Sequence, residues 1–198
     1  MKIIIIGASG TIGKHVVKAL ETDNEIVKVG SKSGDIQVKI DDPASIKKMY
    51  ETVGAFDALV CVAGDGHFGP IEKMTDADFR VTVNSKLMGQ VNLVLIGQHY
   101  IKPGGSFTLT SGSLSQDPIV LGASLSSVNA AVDGFVKGAS IELKNGVRIN
   151  SVAPTVVEES PGYFPFFHGT IPVSMQRVAS AYKKSVLGAQ TGQVYFVL

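Results

Sequence analysis

Tryptophan is absent from this chain of 198 residues, cysteine occurs once, and charged residues make up only 18%. A lone cysteine excludes an internal disulfide. Cys61 lies inside the apolar run Ala58 to Ala63, so it reads as a small buried hydrophobe rather than a nucleophile or a ligand. The formal net charge is +1, with acids and bases interspersed, which leaves no electrostatic footprint for nucleic acid or an anionic membrane surface. No apolar run approaches the ~20 residues that span a bilayer, and Ile3 to Ile6 is too short for a signal-peptide core. A cytoplasmic protein with no metal site is expected. Repeats, low-complexity tracts and linkers are missing too, which predicts one domain over residues 1–198.

What is present begins with Gly7 to Gly13, GASGTIG, between the apolar run and an amphipathic stretch opening at Lys14. Strand, glycine turn and helix in that order form a site for a dinucleotide pyrophosphate. Gly7 permits the turn, Gly10 lets backbone N–H groups approach phosphate, and Gly13 lets the helix pack on the strand. Periodicity then alternates strands near 2–6, 25–29, 36–40, 57–62, 104–110, 147–152 and 193–197 with helices near 12–21, 43–53, 75–100, 119–144 and 174–187. The pattern predicts a Rossmann-type, doubly wound parallel sheet of about seven strands in three α/β/α layers. The irregular stretch 153–172, rich in Pro, Gly and aromatics, follows a strand end and reads as a lid or substrate wall, or as an ordinary packed loop.

Several segments together resemble the short-chain dehydrogenase/reductase family: GASGTIG, Val62 to Gly64, Gly105 to Gly112, Ser126 to Leu143, Gly146 to Pro154 and Thr191 to Val197. The resemblance implies an oxidoreductase of small carbonyl or alcohol substrates. It implies cofactor contacts at Gly7, Ser9, Gly10, Thr11, Ile12, Gly13, Ala63, Gly64, Pro154, Thr155 and Val156. Asp41 resembles the acid that meets the adenine amino group. The second strand ends in Ser31-Lys32-Ser33, where an NAD-specific site would place a carboxylate, so Lys32 between two hydroxyls favours the 2′-phosphate of NADP(H). A solvated surface lysine is the competing reading of Lys32.

At the catalytic positions the sequence departs from the family, which uses a serine, a tyrosine, a lysine and an asparagine. Ungapped alignment puts Gly112 at the serine, Leu125 at the tyrosine and Asn129 at the lysine, while Lys86 falls at the asparagine. Ser111 and Ser113 flank the vacant serine position, and Lys86 would keep a cation near a developing alkoxide, so these are the candidate catalytic residues. The bland alternative has both serines bonding the loop backbone and Lys86 solvated. Tyr163, His67 and His168 are further titratable candidates. Two functions remain open: an NADP(H)-dependent reductase with a non-standard proton donor, or a catalytically inactive NADP(H)-binding sensor or scaffold. Apolar stripes such as Val91, Leu93, Val94 and Ile96, and Val132, Phe135, Val136 and Ala139, predict a homodimer or homotetramer, or serve the core.

Overall fold

The computed structural model describes residues 1–198. Its strands are β1 (Lys2–Ile6), β2 (Glu25–Gly30), β3 (Ile36–Gln37), β4 (Phe56–Cys61), β5 (Ile101–Thr110), β6 (Arg148–Pro154) and β7 (Val194–Val197). They form one seven-stranded sheet in the order β3-β2-β1-β4-β5-β6-β7, and every pairing is parallel. The helices are α1 (Thr11–Leu20), α2 (Pro43–Val53), α3 (Asp76–Thr82), α4 (Gly89–Gly97), α5 (Ala123–Glu142) and α6 (Met175–Leu187).

The N-terminal isoleucines show why the sheet is covered on both faces. Successive strand side chains point to opposite sides. Ile4 and Ile6 enter a core beneath α2, α4 and α5, while Ile3 and Ile5 enter a second core beneath α1 and α6. All four are at most 1% exposed, so an unbroken apolar run is what this position requires. Tyr50 anchors the first core, stacked on Phe56 and Tyr100 with its hydroxyl donating to Leu93 O.

Element boundaries differ from the sequence reading in several places, among them a fifth strand that begins at Ile101 rather than residue 104 and a sixth that runs to Pro154 rather than residue 152. The predicted helix over 75–100 is broken by a π turn, Val83–Met88, between α3 and α4. The helix expected from residue 119 starts at Ala123, because Leu121 adopts a left-handed φ of 68° and its carbonyl accepts from Gly69 N. The third strand stops at Gln37 rather than residue 40, since Lys39 N is taken by Ser45 Oγ as the chain turns into α2. Asp41 therefore does not end that strand.

Candidate functional site

The strand order reverses direction between β1 and β4, and in open α/β sheets the crevice at such a switch point receives ligands. Two segments meet there. Gly7, at φ 82°, follows β1, and a Cβ on it would lie 3.1 Å from Ala63 Cβ and from the Val62 carbonyl. A Cβ on Gly13 would strike the Gly7 backbone, so this glycine sets the approach of α1 to the strand. Gly10 differs from both. Its only close neighbour would be Gly7 O at 3.3 Å, so the fold itself makes little demand for glycine there. Gly10 is exposed at the start of α1, which has no side-chain cap. The unpartnered N–H groups of that first turn, beside a position kept bare, suit a phosphate.

A groove of about 470 Å³ runs from this turn across the ends of β2 and β3. Gly7, Ser9, Gly10, Ser31, Lys32, Ser33, Asp41, Ala63 and Gly64 all line it. The Ser9 and Ser33 hydroxyls lie 3.1 Å apart and join the glycine turn to the Ser31-Lys32-Ser33 cluster. Asp35 is turned away, its carboxylate accepting from Lys28 N at 2.8 Å. Thr11 is exposed on the first turn of α1 and Gly13 is buried beneath it, and neither lines the groove. Lys39, Asp65 and Ser85 line it without having been anticipated. Asp65 N donates to Ser85 Oγ at 2.9 Å, a contact between the loop after β4 and the π turn that no local sequence signal announces.

Gly64 also belongs to a second cavity, of about 340 Å³, which brings together Ile12, Pro154, Thr155 and Val156 with Gly112, Ser113, Leu125 and Asn129. The two spaces thus share a wall. The family's catalytic positions occupy one side of the cavity, with altered chemistry. Leu125 packs its hydrocarbon against the backbone of Gly66 where a tyrosine is usual. Asn129 is 3% exposed, and a Cβ on Gly112 would lie 2.8 Å from its Nδ2.

Lys86 lies in the π turn, a local irregularity common at functional positions. Its stem passes beneath Gly64, and Nζ donates to Ser111 O at 3.3 Å. Burial holds the Lys86 pKa below the ordinary lysine value, with Cys61 and Asp133 pulling partly the other way. Gln90 fixes the neighbouring turn by donating from Nε2 to both Lys86 O and Thr110 O and accepting from Thr110 N. Ser113 lines the cavity, whereas Ser111 lies behind it with a buried Oγ that has no hydrogen-bond partner.

The stretch after β6 covers the cavity. Ser160, Tyr163 and Phe167 line it, and Phe68 packs edge-on against Tyr163 and Phe166. Glu159 ties this stretch to α1, with His15 Nε2 at 2.8 Å and Lys14 Nζ at 3.3 Å. Partial burial raises the Glu159 pKa, but Lys14 and His15 outweigh it and hold the carboxyl below the usual range. His67 and His168 are not part of the cavity wall. His67 instead stands 3.9 Å from Asp78. No cluster of ligating side chains able to hold a metal is found.

Comparison with known proteins agrees with this architecture. The family model described as "Enoyl-(Acyl carrier protein) reductase" matches residues 3–164. Among curated relatives, the hydroxynaphthalene reductase arp2 of Aspergillus fumigatus is 26% identical over 159 residues, 77% of this chain and 58% of that protein. The oxidoreductase UcpA of Escherichia coli K12 is 27% identical over 68% of this chain and 54% of that protein. The chain thus spans about half the length of the curated relatives it matches. Among solved structures, the protein lin1944 of Listeria innocua is 50% identical, with a TM-score of 0.98 and full coverage of both chains. A small-chain dehydrogenase in complex with NADPH is 25% identical, with a TM-score of 0.89 over 100% of this chain and 96% of that one. By its match to the family model, and by a parallel sheet whose glycine turn and crevice stand where that family has them, the chain belongs to the short-chain dehydrogenase/reductase family.

Proposed function

We propose that this chain is an NADP(H)-dependent oxidoreductase acting on a small carbonyl or alcohol with a non-standard active site. The observation that carries the reading is the shared wall at Gly64, which joins the groove along the glycine turn to a largely apolar cavity. Gly7, Ser9, Gly10 and Gly64 would hold the diphosphate and ribose portions, with Thr11, Ile12 and Gly13 forming the first turn of α1. Ser31, Lys32 and Ser33 would take the 2′-phosphate and Asp41 the adenine. Ala63, Pro154, Thr155 and Val156 would flank the nicotinamide. The bound dinucleotide supplies a nicotinamide able to give or take hydride.

The chain's own contribution is positioning and electrostatics. Ser113 presents a hydroxyl at the cavity wall as the exchangeable proton. Lys86, held on Ser111 O, sets a cation behind the turn from Ser111 to Ser113 and favours negative charge developing in the cavity. A positioned general acid contributes about 10²–10⁴-fold, so turnover slower than the family norm follows from losing the tyrosine. Calorimetric titration with NADPH, NADP, NADH and NAD is the test. Binding of the phosphorylated pair alone supports the reading, and no binding by any of the four overturns it. Ser111→Ala, Ser113→Ala and Lys86→Met combined should abolish turnover.

A second reading, an NADP(H)-binding sensor or scaffold without catalysis, is favoured by Leu125, which fills the proton donor's place with hydrocarbon. NADPH oxidation by any carbonyl compound, lost on replacing Gly10 with a bulky residue, would count against it.

A further inference from the structure

Resting on the oxidoreductase reading, we infer that Asn129 Nδ2 takes over the task of the missing serine, holding the oxygen of a neutral, largely apolar ketone in the cavity beside Gly112. The cavity wall supplies the substrate class. Phe68, Leu114, Ile119, Leu125, Val157 and Phe167 give it an apolar lining, and no Asp, Glu, Lys, Arg or His side chain reaches it. A carboxylate or phosphate taken into that space would touch no charged side chain, because Lys86 lies behind the wall with its ammonium held on Ser111 O. Pro154, Thr155 and Val156 line the same space, so its volume of about 340 Å³ would be shared with the nicotinamide and suits a compact ketone carrying one ring.

The anchor follows from the pairing of Gly112 and Asn129. A Cβ on Gly112 would lie 2.8 Å from Asn129 Nδ2, so the amide occupies the room into which a side chain at 112 would project. Gly112 is extended, at φ 171°, a conformation any residue can adopt, so the backbone does not demand glycine there. The absence of a side chain is explained by the amide. An amide NH₂ only donates and a ketone oxygen only accepts, which makes the two complementary. Asn129 Nδ2 donates to no group of the chain and Oδ1 also lacks a partner there, so the amide is not held by internal hydrogen bonds and its donor at the cavity wall is free for a ligand. The other candidate donors are worse placed. Ser111 Oγ is shielded behind the wall and Leu125 has no polar atom; the Thr155, Ser160 and Tyr163 hydroxyls come from the stretch after β6, so beside Gly112 the Ser113 hydroxyl is the competitor.

Infrared difference spectroscopy with carbonyl-¹³C acetophenone as probe, with and without NADP, tests the inference. A hydrogen bond to the ketone lowers its carbonyl stretch. In the wild type the bound band should lie below that in Asn129→Leu, and the probe should bind that variant roughly 3- to 10-fold more weakly, the range of one net hydrogen bond. Gly112→Ala, whose methyl group must push the amide aside, should raise the band without altering Asn129 itself, and covers the case in which Asn129→Leu fails to fold. Ser113→Ala, which removes only the proton-donating hydroxyl, should raise the band less than Asn129→Leu does. An unchanged band in both the Asn129 and Gly112 variants, a band that moves only in Ser113→Ala, or no probe binding to the wild type overturns the inference. Loss of NADPH binding in calorimetry would instead strike the oxidoreductase reading, so the two failures are separable.

Discussion

Gly112 and Asn129 share one space: the amide nitrogen of the second stands 2.8 Å from where the first would carry its Cβ. The two departures from the family pattern are therefore one departure. Gly112→Ser alone should overpack the site and cost about 1–3 kcal/mol in urea denaturation. Adding Asn129→Ala should recover part of that loss, so the pair is non-additive. Simple additivity of the two would show that they do not compete.

The glycines of the first turn should separate stability from binding. Gly13→Ala drives a methyl group into the Gly7 backbone and should lower stability by several kcal/mol or prevent folding. Gly10→Ala meets one atom at 3.3 Å and should cost no more than about 1 kcal/mol, while weakening NADPH binding at least tenfold. Thermal melts and calorimetry on the two variants read both effects.

Lys32 should decide between the two dinucleotides. It is exposed on the groove, where one charge-assisted contact contributes about 1 kcal/mol, so Lys32→Ala should weaken NADPH about fivefold and leave NADH unchanged. Equal losses for both would place Lys32 away from the 2′-phosphate.

Glu159 gives stability an acid limb. Its carboxyl pKa is lowered in the fold, so the unfolded chain binds the proton more readily, and stability falls as pH drops from the ordinary glutamate value through the lower folded one. Above that window the contribution is complete. Glu159→Gln should flatten this part of a stability-against-pH curve, and an unchanged curve would mean that the ion pairs with Lys14 and His15 do not hold the covering stretch in solution.

A homodimer built on α4 and α5 is expected, although most of the stripes that suggested it face inward. Leu93, Val94, Val132 and Val136 are at most 2% exposed. Met88, Leu95 and Ile141 remain outside, at 39%, 47% and 86%. Light scattering at micromolar concentration decides, and a monomer ends the idea.

The sheet and the glycine turn were legible because each rests on a short-range pattern: Ile3 to Ile6 serve both faces at once, and the three glycines recur at fixed spacing. The boundaries that failed were decided at a distance. Lys39 is turned by Ser45, and α5 is delayed by the left-handed Leu121, whose carbonyl bonds to Gly69. At the site, alignment found the positions of Gly112, Leu125, Asn129 and Lys86 but not their relations. That an amide on α5 fills the space over a glycine following β5 depends on how helix and strand pack, which no local pattern records. The course of Lys86 to Ser111 O likewise depends on the π turn, for which the stretch VNSKLM carries no mark.

The Gly64 junction has a consequence for steady-state kinetics. It is bare of side chain, at φ 143°, and its other face rests on the stem of Lys86. A ligand lying along the groove covers part of the wall of the cavity, so each occupant alters the entrance available to the other. Initial-rate plots should therefore intersect rather than run parallel, and dead-end inhibitors of the two compartments should give unlike patterns, one competitive and the other mixed.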